Sequence, residues 1–331
     1  MALIKETTNR LIQHLNKNNP NLIENIKHPV VISSIENPNV DEKKDLENLK
    51  IIQWNSRKMK GKPKQDRIKI DIQRINPDIF AFQETNLKEL KPSMKYPSNK
   101  TNSNKTNPGE NDSCFEVEGY NIEIQEGRTG LLIGYKKSLK LEKIEDNICF
   151  GRNLEHQIYK VHISPKPITL INIYRNCTSE ANSALDPQKL FEYMSTQKSA
   201  IAVGDFNAHH PLWKKYKNTD SKYFKPDLNN TGRDIVKALE TSNIMILNTG
   251  QSTHTSGSAI DLTFATPDIA SKANWDINDN LLSDHYGIET LIPYKKTVQP
   301  YENTKNYKNA DWEKYQEYQF DEETYYDITD N

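Results

Sequence analysis

The sequence predicts an α/β fold, and three stretches carry that prediction. Residues 49–55 (LKIIQWN) form a short apolar run of strand length, and residues 78–84 (DIFAFQE) form another. Between them Ile68, Ile72 and Ile75 recur at i, i+4 and i+7, the stripe of one helix face, and Pro77 stops it. Strand, helix and strand in succession are the signature of an α/β domain.

The remaining elements follow in chain order. FEVEGYNIEI (115–124), GLLIGYKK (130–137), HQIYKVHIS (156–164) and ITLINIY (168–174) are alternating or apolar segments separated by Gly, Arg, Asn or Pro, as successive strands are. Residues 186–198 read as a helix, and AIAVGDF (200–206) as a buried strand running into a Gly-Asp turn. Thr231 and Asp234 have the spacing of a capping box, ahead of a helix and strand in IVKALETSNIMIL (235–247); SAIDLTFAT (258–266) is a further strand. No repeat of fixed period occurs, which excludes solenoids and propellers.

The 331 residues exceed one minimal domain, but only 35% are hydrophobic and 27% are charged, so part of the chain is expected to stay solvated. Residues 1–48 read as a polar, loosely ordered extension, 91–113 as a mobile loop of Pro, Asn, Ser and Lys, and 295–331 as an acidic tail. No apolar run approaches membrane-spanning length and the amino terminus has no signal-peptide pattern, so the chain reads as intracellular, neither secreted nor membrane-bound. Cys114, Cys149 and Cys177 match neither a disulfide framework nor a zinc spacing.

With 44 basic and 45 acidic side chains the net charge is −1. Residues 1–49 carry 6 basic and 7 acidic side chains and residues 295–331 carry 5 and 9, leaving 33 basic against 29 acidic between them. The neutral average therefore excludes nothing about nucleic acid.

Carboxylate, amide and imidazole groups end several apolar strands: Trp54-Asn55, Gln83-Glu84, Gly204-Asp205-Phe206-Asn207 and Ser283-Asp284-His285. Polar groups at strand ends sit on the rim of a sheet, where α/β folds assemble sites. Singly, each reads better as a turn residue or a solvated edge charge. Together they suit phosphodiester hydrolysis, which needs a divalent cation on hard oxygen ligands, a group to orient water, and donors to the phosphate. Glu84 and Asp284 can supply carboxylates, Asp205 the water-orienting group, and Asn55, Asn207, Tyr174 and His285 the donors. Asp261 is a candidate to hold His285 and raise its pKa.

In order, WN (54–55), QET (83–85), NIY (172–174), GDFNAHHPLW (204–213), ILNTG (246–250), SAIDLTF (258–264) and SDHYGIE (283–289) resemble the endonuclease/exonuclease/phosphatase superfamily. More narrowly they are similar to the apurinic-like endonuclease domain of non-LTR retrotransposons of the jockey and LINE type. The resemblance covers residues 49–294 and implies a four-layer α/β sandwich, two stacked sheets flanked by helices, with the site at one end. It implies Glu84 as the main ligand of Mg²⁺, for which Mn²⁺ could substitute, with Asn55 and Asp284 close to the metal. Asp205 would align the attacking water, and His285, held by Asp261, would contact the phosphate beside Asn207 and Tyr174. Thr255 and Ser258 fall where the family carries small hydroxyl residues.

The sequence departs from the family pattern at Trp54-Asn55-Ser56-Arg57, at Arg128-Thr129-Gly130-Leu131 and at Tyr174-Arg175-Asn176-Cys177, which bear on substrate positioning more than on chemistry. No YxDD-type polymerase stretch is present, so any reverse transcriptase partner would lie on a separate or lost segment. Arg57, Lys58 and Lys60 open a basic cluster directly after the strand ending in Asn55. Such a run is usually a solvated face, but its position favours contact with double-stranded DNA, and Trp213 offers stacking unless it belongs to the core.

The leading expectation is an Mg²⁺-dependent DNA endonuclease that nicks one strand to leave a 3′-hydroxyl, acting in the nucleus. Alternatives are another nuclease or phosphatase of the superfamily, such as an apurinic repair endonuclease or an RNase, and a catalytically silent nucleic-acid-binding remnant. Every charged position of the pattern is filled, which argues against the remnant. The oligomeric state is not readable from the sequence.

Overall fold

The computed structural model describes residues 46–88, 115–145, 148–152, 154–176, 184–215 and 227–295. Almost all of the N-terminal extension, the 91–113 loop, the acidic tail, Cys114 and Cys177 lie outside the described residues.

The elements are β1 (Leu46–Asn55), α1 (Lys62–Ile75), β2 (Ile79–Gln83), β3 (Tyr120–Gln125), β4 (Leu131–Lys136), β5 (Lys140–Lys143), β6 (Gly151–Arg152), β7 (Leu154–His162), β8 (Ile168–Arg175) and β9 (Ala184–Leu185). They continue as α2 (Pro187–Thr196), β10 (Ala200–Asp205), α3 (Asn230–Glu240), β11 (Met245–Ile246), β12 (Asp261–Ala265), α4 (Pro267–Ala270), β13 (Asn274–Asn278) and β14 (Gly287–Lys295). One six-stranded sheet has the order β13-β14-β1-β2-β4-β3, the other β11-β12-β10-β8-β7-β5, and β6 pairs with β9. Each large sheet has one parallel pair at its centre, β1 with β2 and β8 with β10, and antiparallel neighbours outside it.

Side-chain alternation along the strands builds the layers. Leu49 and Ile51 of β1, with Ile79 and Ala81 of β2, point into a core shared with Leu170 of β8 and Ile201 and Val203 of β10. The intervening residues Ile52, Trp54, Phe80 and Phe82 face outward onto Ile68 and Ile72 of α1. On the other sheet Ile171, Ile173, Ala202 and Phe264 face Leu190, Phe191 and Met194 of α2 and Ile235 and Ala238 of α3. Helix, sheet, sheet and helix are the four expected layers, and each fully buried Leu, Ile or Phe adds roughly 1.5–3 kcal/mol.

Two local features differ from the sequence reading. The N-cap of α3 is Asn229, whose side chain accepts from Gly232 N, so Thr231 is already inside the helix. Asn caps as well as Thr does, and Asn229 Oδ1 also accepts from His209 N at 3.1 Å, which fixes the helix start against the turn after β10. Strand β14 carries no clean alternation, yet it pairs with both β1 and β13. Its Pro293 lies opposite Asn48, beyond the β13 ladder, where a missing N–H costs nothing on that side. Among the described residues no helix is long and apolar enough to cross a membrane.

Candidate active site

The inward face that is apolar in mid-sheet turns polar at the carboxyl ends of the parallel strands. Leu49 and Ile51 give way to Gln53 and Asn55 on β1, Ile79 and Ala81 to Gln83 on β2, Leu170 to Asn172 and Tyr174 on β8, and Val203 to Asp205 on β10. Asp205 stands in register with Tyr174 on one side and with Asp261, the first residue of β12, on the other. Gly204 lets β10 make this approach, since a Cβ there would sit 1.9 Å from Ile173 O.

The turns that follow these strands are held in unusual backbone conformations. Arg57, Lys58, Glu84, Asn86 and Asn207 all have positive φ, between 44° and 68°. Such conformations cost free energy in non-Gly residues and cluster at sites where the surroundings enforce them. Here the enforcing contacts are visible: Lys58 N donates to Glu84 O and Met59 N to Thr85 O, tying the turn after β1 to the turn after β2.

The polar groups converge. Asn55 Nδ2 donates to Glu84 Oε1 and to Asp205 Oδ2, both at 2.9 Å, and so bridges the two sheets. Asp205 also accepts from Asn207 N at 2.9 Å and Asn207 Nδ2 at 3.2 Å. His285 Nδ1 lies 2.9 and 3.1 Å from the two oxygens of Asp261. A carboxylate partner requires that nitrogen to carry the proton, which leaves Nε2 as the working atom. Asp205, Asp261 and His285 are all buried and present atoms within 4.8 Å of one another. Thr253 completes the support, donating from Oγ1 to Asp261 Oδ2 at 2.7 Å and accepting from the backbone N–H of Ile260 and Asp261. His285 itself is fixed through its backbone, because Trp54 Nε1 donates to its carbonyl at 3.1 Å.

Burial pushes the Asp205 carboxyl up to about 7, and the neighbouring Asp261 adds to the rise against the opposing pull of His285, Asn207 and Asn55. His285 moves the other way in charge terms. Burial alone would lower it, but Asp261, through charge and hydrogen bond, together with Asp205 and Asp284, raises it to about 9. The site therefore combines a carboxylate that can take a proton near neutrality with an imidazolium that stays charged above it.

Asp284 is engaged by several neighbouring side chains. Arg57 forms an ion pair with its Oδ2, and His254 Nε2 lies 3.3 Å from the same atom. Ser256 N donates to His254 Nδ1, so the His254 proton sits on Nε2 and points at Asp284. Ser283 Oγ donates to Oδ1 at 3.1 Å. Burial raises the Asp284 carboxyl, but His285, Ser283 and Arg57 together hold it below its ordinary value. Both its oxygens are engaged, and with His254 and His285 it forms a group whose possible ligand atoms lie within 4.8 Å of one another. Glu84 does fit a hard divalent cation. Its carboxylate is half-buried, and among the described residues only Asn55 donates to it. One carboxylate with water and substrate oxygens is the usual surrounding of Mg²⁺.

The structure brings Asn55, Glu84, Tyr174, Asp205, Asn207, Asp261, Asp284 and His285 to one end of the sheets. Trp213 is a correction: it is 1% exposed and donates from Nε1 to Ala259 O, so its ring is core and offers no face to a base. Arg57, Lys58 and Lys60 are exposed. Thr255 is exposed and Ser258 half-buried; Thr255 N donates to Asp284 O, and Ser258 accepts from Thr253 N, His254 N and Ser256 Oγ. Sequence reasoning missed Thr253 and His254. The signal was their pairing with the SDH segment, Thr255 N to Asp284 O and Tyr286 N to Thr253 O, which no local pattern encodes.

This fold and this arrangement define an α/β sandwich of the endonuclease/exonuclease/phosphatase type. A family model described as endonuclease-reverse transcriptase matches residues 168–289, from β8 into β14. Among solved structures the chain is similar to the endonuclease domain of TRAS1, a telomere-specific non-LTR retrotransposon, with 16% identity and a TM-score of 0.53 over 76% of this chain and 100% of that one. It is also similar to the AP endonuclease LMAP from Leishmania major, with 14% identity and a TM-score of 0.52 over 78% of this chain and 92% of that one. No curated protein shows a significant sequence match. The likeness to these solved structures is one of fold, and the family match covers the segment from β8 into β14.

Proposed function

We propose that the protein is a metal-dependent DNA endonuclease that nicks one strand by hydrolysis, with residues 49–294 as its catalytic domain. The observation that carries this reading is the trio of Asp205, Asp261 and His285, buried together, beside a Glu84 carboxylate held by Asn55.

Asp205 aligns a water molecule and takes its proton as the water oxygen attacks phosphorus. Water adds to phosphorus and the bond from phosphorus to the 3′ oxygen breaks, leaving a 5′-phosphate and, once the 3′ oxygen gains a proton, a 3′-hydroxyl. His285 donates from Nε2 to a non-bridging phosphate oxygen and stabilises the charge that builds there, with Asp261 fixing its tautomer and orientation. Asn207 and Tyr174 lie alongside, although the Asn207 amide already donates to Arg175 O at 2.7 Å and steadies the turn. A divalent cation at Glu84 would supply Lewis-acid stabilisation of the phosphate; Mg²⁺ suits the oxygen donor, and Mn²⁺ would serve. Arg57, Lys58 and Lys60 would meet the DNA backbone, acting in the nucleus, and the 3′-hydroxyl would prime a reverse transcriptase supplied on a separate segment.

The retroelement reading leans on the family match and on the likeness to the TRAS1 domain, whereas the likeness to an AP endonuclease favours a repair-type activity as the second reading. Incubating purified protein with intact duplex, abasic duplex and RNA of one sequence separates them. The proposal expects cleavage of intact duplex with 3′-hydroxyl ends. Cleavage confined to abasic DNA supports the second reading, and cleavage of RNA alone contradicts both.

A further inference from the structure

Four buried amides that the hydrolysis does not use form one hydrogen-bonded chain leading away from Asp261. Gln53 Nε2 donates to Asp261 Oδ1 at 3.3 Å and to Gln83 Oε1 at 2.8 Å. Gln83 Nε2 donates to Asn172 Oδ1 at 2.6 Å, and Asn172 Nδ2 to Gln157 Oε1 at 3.1 Å. The four residues come from β1, β2, β8 and β7, and none is more than 2% exposed. The chain therefore crosses from one sheet to the other at the polar end of the layer between them.

Its direction is informative. Beyond Gln53, Gln83 and Asn172 each accept from the amide nearer Asp261 and donate to the next, and Gln157 accepts at the end of the run. The polarity is set at Gln53, whose own Oε1 is buried with no hydrogen-bond partner among the described residues. Turning that amide over would bring its oxygen against the Asp261 carboxylate and against Gln83 Oε1. The orphaned oxygen is thus accepted in order to present both N–H groups, one of them to Asp261. A tie serving only to join the sheets has no need of this direction.

We infer that Gln53, held in orientation by Gln83 and Asn172, is a positioning residue that aims the Asp261 carboxylate at His285. Thr253 grips one Asp261 oxygen and Gln53 the other, so the carboxylate cannot rotate away from the imidazole. This inference rests on the proposed role of His285, but its geometry can be read without any substrate.

The test uses the full chain without nucleic acid. The His285 Nδ1 proton, hydrogen-bonded to Asp261, gives a downfield proton NMR signal that is assigned by its loss in His285→Gln. Gln53→Met keeps the bulk and removes the donor; the signal is expected to move upfield or broaden beyond detection while the melting temperature stays within a few degrees. Gln83→Met, which frees Gln53 to rotate, is expected to do the same more weakly and serves if Gln53→Met does not fold. A folded variant with the signal unmoved overturns the inference, as does failure of both variants to fold, which would make the amides a structural tie. In nicking assays Gln53→Met is expected to lower kcat about tenfold with KM unchanged, the size typical of lost outer support. If the signal moves but the parent protein nicks nothing, the positioning stands and the hydrolytic reading fails.

Discussion

Asp205 and Asp261 lie directly opposite each other on β10 and β12, both buried, and His285 lies close to both. Like charges opposed in a ladder repel, and burial removes the water that would screen them. The arrangement persists because His285 binds one carboxylate directly while Asn55 and Asn207 donate to the other. The opposed carboxylates and the proposed chemistry involve the same three residues.

Asp205→Asn removes one of the two opposed charges. Because the Asp205 pKa is raised in the fold from 3.8 to about 7, the folded state holds this proton more tightly than the unfolded chain does. Its ionisation therefore destabilises the parent as pH rises from about 4 to 7. Denaturant titrations at pH 5 and pH 8 should show stability shifting in favour of the variant at the higher pH, while nicking falls by about 10²- to 10⁴-fold. A variant whose stability relative to the parent is the same at both pH values contradicts the raised pKa.

The pH dependence of nicking follows from the same pair. The proposed mechanism requires Asp205 unprotonated and His285 protonated, and these are held at about 7 and about 9. The rate at saturating substrate should rise through pH 7, level, and fall through pH 9. Asp261→Asn removes the main influence raising His285 and should move the alkaline limb towards neutrality; an unmoved limb would assign it to another group.

Glu84 and Asp284 should differ sharply in cation binding. Glu84→Gln is expected to weaken Mn²⁺ binding at least tenfold, as read by calorimetry. Asp284→Asn, at a carboxylate already engaged by Arg57, His254 and Ser283, should change it less than about twofold, following the worth of a direct ligand against an outer one. Equal losses would mean that the Arg57 ion pair opens when the cation arrives.

The basic turn and Trp213 separate binding from stability. Lys58→Ala and Lys60→Ala should each lower the slope of log affinity against log salt by about 1 for duplex DNA, without effect on melting. Trp213→Ala should instead cost about 3–5 kcal/mol of stability, as an emptied core position does. If Lys58→Ala and Lys60→Ala leave the slope unchanged, the DNA lies elsewhere.

The parts of the fold that were legible in the sequence are those whose information is local. The stripe of Ile68, Ile72 and Ile75 faces the first sheet as its period requires, with Ile68 and Ile72 fully in the core and Ile75 at its edge. The strands ending in Asn55, Gln83 and Asp205 are where their apolar runs place them. The pairing of His285 with Asp261 was readable because the chemistry of an imidazole demands an orienting carboxylate. What was not legible depends on contacts far apart in the chain: β14 has its meaning only between β1 and β13, Thr253 only against Asp261, and Arg57 only against Asp284 across 227 residues. Trp213 was ambiguous for a different reason, since an aromatic ring suits a core and a stacking surface equally and only burial decides between them.

The central claim is that Asp205 and His285 perform phosphodiester hydrolysis together. Its most direct test is the conversion of supercoiled plasmid to open circles by purified parent, Asp205→Asn and His285→Ala proteins at pH 8, each with Mg²⁺ and with EDTA. Nicking is expected from the parent with Mg²⁺ and not in EDTA, with each variant slower by at least about 10²-fold. Nicking by Asp205→Asn at the parent rate would contradict it.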